Sequence, residues 1–300
     1  MNQAQRRVRR HIDGVLLLDK PLGLSSNTAL QRVKRLFNAE KAGHSGTLDP
    51  LATGLLPILL GEATKFGAFL LDSDKTYLAE VHFGIRTDTG DAEGEVISEV
   101  EASFRAEQLA VAMHAFRGPI RQVPPMYSAL KRDGKALYEY ARAGETVERL
   151  PRDVTIHAFD LIRFEAPLAE FRVRCSKGTY IRTLAEDLGI ALGCGAHLKA
   201  LRREAAGRFE LKRAVTLATL EVSGESERDA HLLSLEALLD DLPALNLDSE
   251  QTRRFCQGQV LQGPWPQGER VRIIGDGGRF LGVGKVDVAA RLHPSRLLRI

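Results

Sequence analysis

The segment 41–65, KAGHSGTLDPLATGLLPILLGEATK, gathers residues whose types and spacing suit chemistry. Glycines at 43, 46, 54 and 61, with Pro50 and Pro57, make it a structured loop rather than one continuous element. Asp49 precedes Pro50, whose ring drives the aspartate backbone out of the α region. A short carboxylate on such a turn, flanked by Leu48 and Leu51, can project into a cleft as a nucleophile or base. The same carboxylate also suits an Asx turn closing on nearby amides, and the segment read alone favours that plainer role. His44 alone likewise fits a turn or core position better than a catalytic one. No second nearby carboxylate makes a glycosidase pair, and neither a nucleophile elbow nor a Walker motif occurs. Cys175, Cys194 and Cys256 form no CxxC pair, so neither a metal site nor a disulfide framework is expected.

The elements around this loop are readable from periodicity. Residues 14–19 (GVLLLD) form a short apolar run before a Lys20-Pro21-Leu22-Gly23 turn, which predicts a buried strand. Ser25-Ser26-Asn27 offers cap residues for a helix through Phe37, with Leu30, Val33 and Phe37 on one face. Residues 76–83 alternate, placing Tyr77, Ala79, Val81 and Phe83 on one face of a half-buried strand, and residues 170–175 alternate similarly. The run 180–188 switches to helical spacing, and Gly189 is expected to stop it. Strands that alternate predict an α+β fold with a mixed, largely antiparallel sheet flanked by helices, not a doubly wound parallel one.

The whole chain, 300 residues with 44% hydrophobic and 27% charged side chains, can bury one large domain or two ordinary ones. Apolar runs such as 55–60 fall far short of the roughly 20 residues a membrane span needs. The basic N-terminal segment 1–10, expected to be flexible, is followed by no long apolar stretch, and the chain is read as cytoplasmic. The net charge of +3 conceals segregation: residues 221–250 carry nine acidic side chains and one arginine, while residues 251–300 carry nine basic and three acidic. That pattern suggests a basic surface for phosphates with the acidic stretch facing elsewhere. The acidic run, with a helix expected over 231–240, is the candidate boundary between a domain at 11–240 and an all-β tail at 245–300. Within the tail, Gly275-Asp276-Gly277-Gly278 between two apolar runs predicts a hairpin.

Taken together, the motifs resemble one family. GHSGTLDPLATG (43–54) is similar to the signature of the bacterial tRNA pseudouridine-55 synthases, the TruB-type pseudouridine synthases. GVLLLDKPLGLSS (14–26), LLDSDKTYLAEVHFGIRTDTGDAEGE (70–95), VPPMYSALKRDGKALYEYAR (123–142), CSKGTYIRTLAEDLG (175–189) and GCGAHLKALRREAAGRF (193–209) follow the same family's pattern in order. The likeness covers most of residues 12–213, and Ser45 departs from a threonine found in many members.

The resemblance implies conversion of uridine 55 in the tRNA T loop to pseudouridine, by base flipping and exchange of a C–N for a C–C glycosidic bond. It implies Asp49 as the catalytic residue and Arg182 as its charge partner. Tyr77 would stack on the flipped base, Tyr180 and Leu201 would line the same pocket, and His44 would help the RNA loop open. The residues in 124–152 would form an insertion that closes over the RNA, and the tail a small, barrel-like (PUA-like) RNA-binding domain. No cofactor, metal, guide RNA or obligatory protein partner is implied, and a monomer is expected. Two rivals remain. A non-catalytic tRNA chaperone is disfavoured by the intact Asp49, Tyr77 and Arg182 set, and a guide-RNA-dependent subunit by the insertion and short tail.

Overall fold

The computed structural model describes residues 8–299. A ten-stranded sheet dominates the fold. Its main path runs Val215–Thr216, Gly14–Lys20, Ala52–Leu60, Ala196–Ala206, Lys75–Phe83, Leu168–Cys175, Arg152–Glu165, Gly118–Gln122. Two pairings are parallel, Gly14–Lys20 with Val215–Thr216 and Ala52–Leu60 with Ala196–Ala206; the others along this path are antiparallel. The expected mixed, largely antiparallel sheet is therefore present.

The apolar run Gly14–Lys20 is buried on both faces because it is covered on both. Leu16 and Leu18 pack under helix Ser26–Leu36 through Ala29, Leu30 and Val33, while Val15 and Leu17 meet Leu55, Leu59 and Ala63 on the other side. The helix begins where the cap residues predict, with the Ser25 side chain accepting from the Thr28 amide at 3.0 Å. Lys75–Phe83 sends Ala79, Val81 and Phe83 into a second core with Phe171, Val173, Leu184 and Leu188. Tyr77 and Leu201 sit where these two cores meet.

Three local expectations are corrected. Gly189 does not stop its helix, which runs Ile181–Ala191. A Cβ at 189 would lie 2.3 Å from the backbone of Gly195 and Ala196, so this glycine serves close packing of helix on strand. The acidic run contains no helix over 231–240. Leu233 instead exchanges two 2.9 Å backbone hydrogen bonds with Val15, which extends the chain there, and only a short 3₁₀ turn follows at Leu235–Leu238. The tail is not all-β, because helix Ser249–Cys256, capped by Asp248, plugs Phe255 into its core.

That tail carries a five-stranded curled sheet ordered Ala244–Asn246, Gly268–Ile274, Phe280–Val286, Arg291–Leu297, Leu261–Gln262, including the expected hairpin. It packs on the large sheet's domain through Phe66, Leu239, Phe280 and Val283, with the Phe66 and Phe280 rings 5.7 Å apart. The acidic run is used internally. Asp240 pairs with Arg208 at 2.7 Å and Arg272 at 3.1 Å, so it joins the two parts of the chain. Asp229 holds Arg10 at 2.5 Å, while residues 1–7 of the basic N-terminal segment lie outside the described residues. Among the described residues no helix is long and apolar enough to cross a membrane.

Candidate active site

Asp49 reaches the cleft because its loop is pinned from three sides. Ser26 Oγ donates to the Leu48 carbonyl at 2.9 Å and accepts from the Leu48 amide at 2.8 Å, and Leu48 itself is buried. The Gly23 amide donates to the Pro50 carbonyl at 2.9 Å. The Lys20 ammonium, fully buried, donates to the carbonyls of Leu24, Pro21 and Pro50 at 2.5, 3.0 and 3.5 Å. Asp49 forms no Asx turn, since among the described residues no backbone amide donates to its carboxylate. It faces Arg182 instead, Oδ2 standing 3.0 Å from Nη2.

Arg182 is the second residue of helix Ile181–Ala191, and only 6% of its side chain is exposed. Its Nη1 donates to the Thr89 carbonyl at 3.0 Å and lies 3.5 Å from Asp91 Oδ2, and its Nη2 also donates to the Tyr127 carbonyl at 2.7 Å. The helix start is fixed in turn by Gln122, whose side-chain amide accepts from the Tyr180 amide at 3.0 Å and donates to the Tyr180 carbonyl at 3.3 Å.

The resulting cleft has a volume of about 320 Å³, within the range of roughly 300–1,000 Å³ common for small-molecule sites. Asp49, Tyr77, Tyr180, Arg182 and Leu201 line it together, along with Ser128 from the 124–152 segment and Arg203. The structure thus gathers five of the six residues singled out in the sequence. His44 is the exception. It sits on strand Ala42–His44 paired with Ile58, outside the residues that line the cleft, and its Nδ1 is buried without a partner. Burial, helped by the charge of Arg203, pushes its imidazole below the ordinary histidine range.

Electrostatics in the cleft oppose one another. Burial pushes the Asp49 carboxyl above the usual carboxylate range, Arg182 pulls it down, Asp91 pushes it up and Lys20 pulls it down. Burial also lowers Lys20 and Lys75 to about 8. Such an arrangement keeps a half-exposed carboxylate beside a fixed cation in a cleft that two tyrosines also line, which suits attack on, or proton transfer from, a planar base drawn into the cleft.

Sequence reasoning missed Asp91, Gln122 and Arg203. Asp91 lies inside the TDTGDAEGE motif, but nothing in its spacing from Arg182 announces their contact. Thr89 Oγ1 donates to Asp91 Oδ1 at 2.7 Å and the Glu93 amide to the same oxygen at 3.1 Å, so a turn holds this carboxylate in place.

Family models match along the chain: TruB family pseudouridylate synthase (N terminal domain) over residues 34–181, tRNA pseudouridylate synthase B C-terminal domain over 182–240, and pseudouridine synthase II TruB, C-terminal, over 243–298. A protein of Cupriavidus metallidurans called tRNA pseudouridine synthase B is 55% identical over 302 residues, covering 97% of this chain and 96% of its own. One of the same name from Ralstonia nicotianae is 56% identical, covering 100% of this chain and 98% of its own. Among solved structures, a Cbf5–Nop10–Gar1 complex aligns at TM-score 0.72 and 26% identity over 95% of this chain and 84% of the other. An H/ACA RNP bound to a substrate RNA containing 2′-deoxyuridine aligns at TM-score 0.72 and 24% identity, over 96% and 85%, and that likeness speaks for the fold. With half or more of its residues shared along almost its whole length, the chain belongs to the TruB family of pseudouridylate synthases.

Proposed function

We propose that this protein converts uridine 55 in the T loop of tRNA to pseudouridine. The observation that carries the reading is the Asp49–Arg182 pair, 3.0 Å apart in a cleft lined by two tyrosines and Leu201. Relatives more than half identical are called tRNA pseudouridine synthase B, which supports tRNA as the substrate. Uridine in a folded loop is inaccessible to a recessed carboxylate, so the base must first be flipped into the cleft. Tyr77 offers a stacking face there, Tyr180 and Leu201 complete the walls, and His44 acts on the RNA loop from beside the cleft.

Asp49, kept ionised by Arg182, starts the exchange in which the N1–C1′ bond breaks and a C5–C1′ bond forms. The C5 proton leaves and N1 gains one, so the reaction is an isomerisation that consumes no co-reactant. Residues 11–240 form the catalytic part, the 124–152 insertion clamps the stem-loop, and 245–300 bind RNA. The protein acts in the cytoplasm as a monomer without guide RNA or cofactor.

The test is tritium release from C5-labelled uridine in a tRNA transcript by the purified protein alone. Release that disappears when position 55 is cytidine supports the reading. No release without a guide RNA points to a guided subunit, and tight tRNA binding with no release in either condition points to a chaperone.

A further inference from the structure

Arg202 and Arg203 are adjacent on strand Ala196–Ala206 and point to opposite faces, in very different company. Arg202 makes a bidentate pair with Asp19 at 3.1 and 2.7 Å. Arg203 is 1% exposed and, among the described residues, has no carboxylate within ion-pairing distance. A buried cation with no counter-charge is costly, so the groups facing it have to be strongly polar. Two are carbonyls: Nε donates to Leu55 at 2.7 Å and Nη2 to Gly46 at 3.1 Å. Gly46 has φ +82°, and a Cβ there would stand 3.2 Å from Nη1, so a bare backbone lets the guanidinium lie beneath the catalytic loop. The third polar neighbour is Tyr77, which pairs directly opposite Arg203 across the two antiparallel strands, and both side chains line the cleft.

We infer that Arg203 is the positioning residue for Tyr77: its guanidinium donates to the phenol oxygen from below and presents that oxygen to the flipped base as a proton acceptor. The inference rests on the cleft's reading as a pseudouridine-forming site. Once the C5–C1′ bond has formed, C5 still carries its hydrogen. The Tyr77 oxygen, as phenolate, takes that proton and later returns it to solvent; the C5–H electron pair restores the C5–C6 double bond, the C6–N1 π pair moves onto N1, and N1 is protonated from solvent. The groups facing the phenol from the packed elements are Arg203, Cys175 and Asp49. Burial, Cys175 and Asp49 all work against ionisation of the phenol, and Arg203 favours it by both charge and hydrogen bond.

The experiment measures Tyr77 ionisation directly, as the phenolate absorbance of the parent minus that of Tyr77→Phe across pH. It is repeated with Arg203→Gln and Arg203→Lys, alongside single-turnover tritium release. Arg203→Gln is expected to move the ionisation upward by about one pH unit or more and to slow turnover by about 10–100-fold. Arg203→Lys, which keeps the charge, should move both by less. In the Tyr77→Phe background either substitution should lose most of its cost, since both act through one oxygen. Ionisation that stays put in folded Arg203→Lys and Arg203→Gln, or a cost that is undiminished without the hydroxyl, overturns the inference. If Arg203→Gln does not fold, Arg203→Lys decides by the same two measurements. A parent that releases no tritium would overturn the reading of the site, while the absorbance titration would still report the Arg203–Tyr77 contact.

Discussion

Arg182 Nη2 stands 3.0 Å from Asp49 Oδ2, while Nη1 of the same guanidinium lies 3.5 Å from Asp91 Oδ2. One cation therefore serves two carboxylates of unequal exposure, with side chains 42% and 5% exposed. Asp91 is locked by its turn, so it fixes the guanidinium, and the fixed guanidinium aims at Asp49. The carbonyl of Tyr127 completes the grip, which ties the 124–152 segment to the Asp49–Arg182 pair.

Asp49→Asn should abolish turnover and leave tRNA affinity within a few-fold. The substitution keeps the shape and removes the charge, and Asp49 offers one side chain to a large RNA surface. Single-turnover rate and filter-binding affinity check this together. Substantial turnover by the variant would remove Asp49 from the chemistry.

The acid limb of the rate should follow the charges around Asp49. Its carboxyl lies above the usual carboxylate range, and in the proposed reaction the ionised form acts, so the rate should fall as pH drops through that raised value. Arg182→Met withdraws the lowering charge and should move the limb to higher pH. Asp91→Asn withdraws a raising charge and should move it to lower pH. A pH–rate profile in which both variants shift the limb in the same direction would contradict this account.

Much of this was legible in the sequence where one physical rule dominates. Ser25 caps its helix, alternation in 76–83 aims Ala79, Val81 and Phe83 inward, and the GDGG turn makes its hairpin. The misreadings came where tertiary contact overrides a local rule. Gly189 carries a helix-stop signal, yet the nearness of Gly195 and Ala196 explains it. Helix Ser249–Cys256 buries only Phe255, too little to create a periodic pattern. The strap at 231–240 is extended by its pairing with Val15, over 200 residues away in the chain. Asp91 and Arg203 are not legible in the sequence because pairing across a sheet or loop leaves no trace in local spacing.

Tyr77 should separate stacking from proton transfer. Tyr77→Phe keeps the ring, so RNA affinity should stay nearly unchanged while turnover slows by about a hundredfold to ten-thousandfold. Tyr77→Leu should additionally weaken RNA affinity. A Phe variant as fast as the parent would leave Tyr77 as a stacking platform only, and a Leu variant matching the parent in both would remove it from the site.

Lys75 should make stability rise with pH in the alkaline range. Its ammonium is buried against the carbonyls of Leu70, Leu71 and Ser73 at 3.1, 2.7 and 2.6 Å, and burial lowers it from 10.5 to about 8. Between these two values the unfolded chain holds the proton and the folded chain releases it, so this group's contribution to stability grows as pH rises. Lys75→Met should cost about 1–3 kcal/mol through the three orphaned carbonyls. It should also remove that part of the alkaline rise. Urea unfolding of both proteins across this range checks the slope, and parallel curves would refute it.

The tail requires a gentler probe than deletion, because its removal would bare Phe66 and Leu239, which are buried against Phe280 and Val283. Phe280→Ala should cost about 3–5 kcal/mol, the usual penalty for emptying a buried aromatic site, and thermal unfolding would register it. Charge is better tested on the surface. Arg253, Arg279 and Arg296 are exposed and form no ion pair among the described residues, unlike Arg272 or Arg291. If these three meet phosphates, their replacement by glutamine should weaken tRNA binding at low salt. Every arginine–phosphate pairing so removed should flatten the logarithmic salt dependence by about 0.7–0.9. Turnover on saturating tRNA should persist, since none of the three lines the cleft. An unchanged salt slope in the triple variant would show that this face of the tail does not touch RNA.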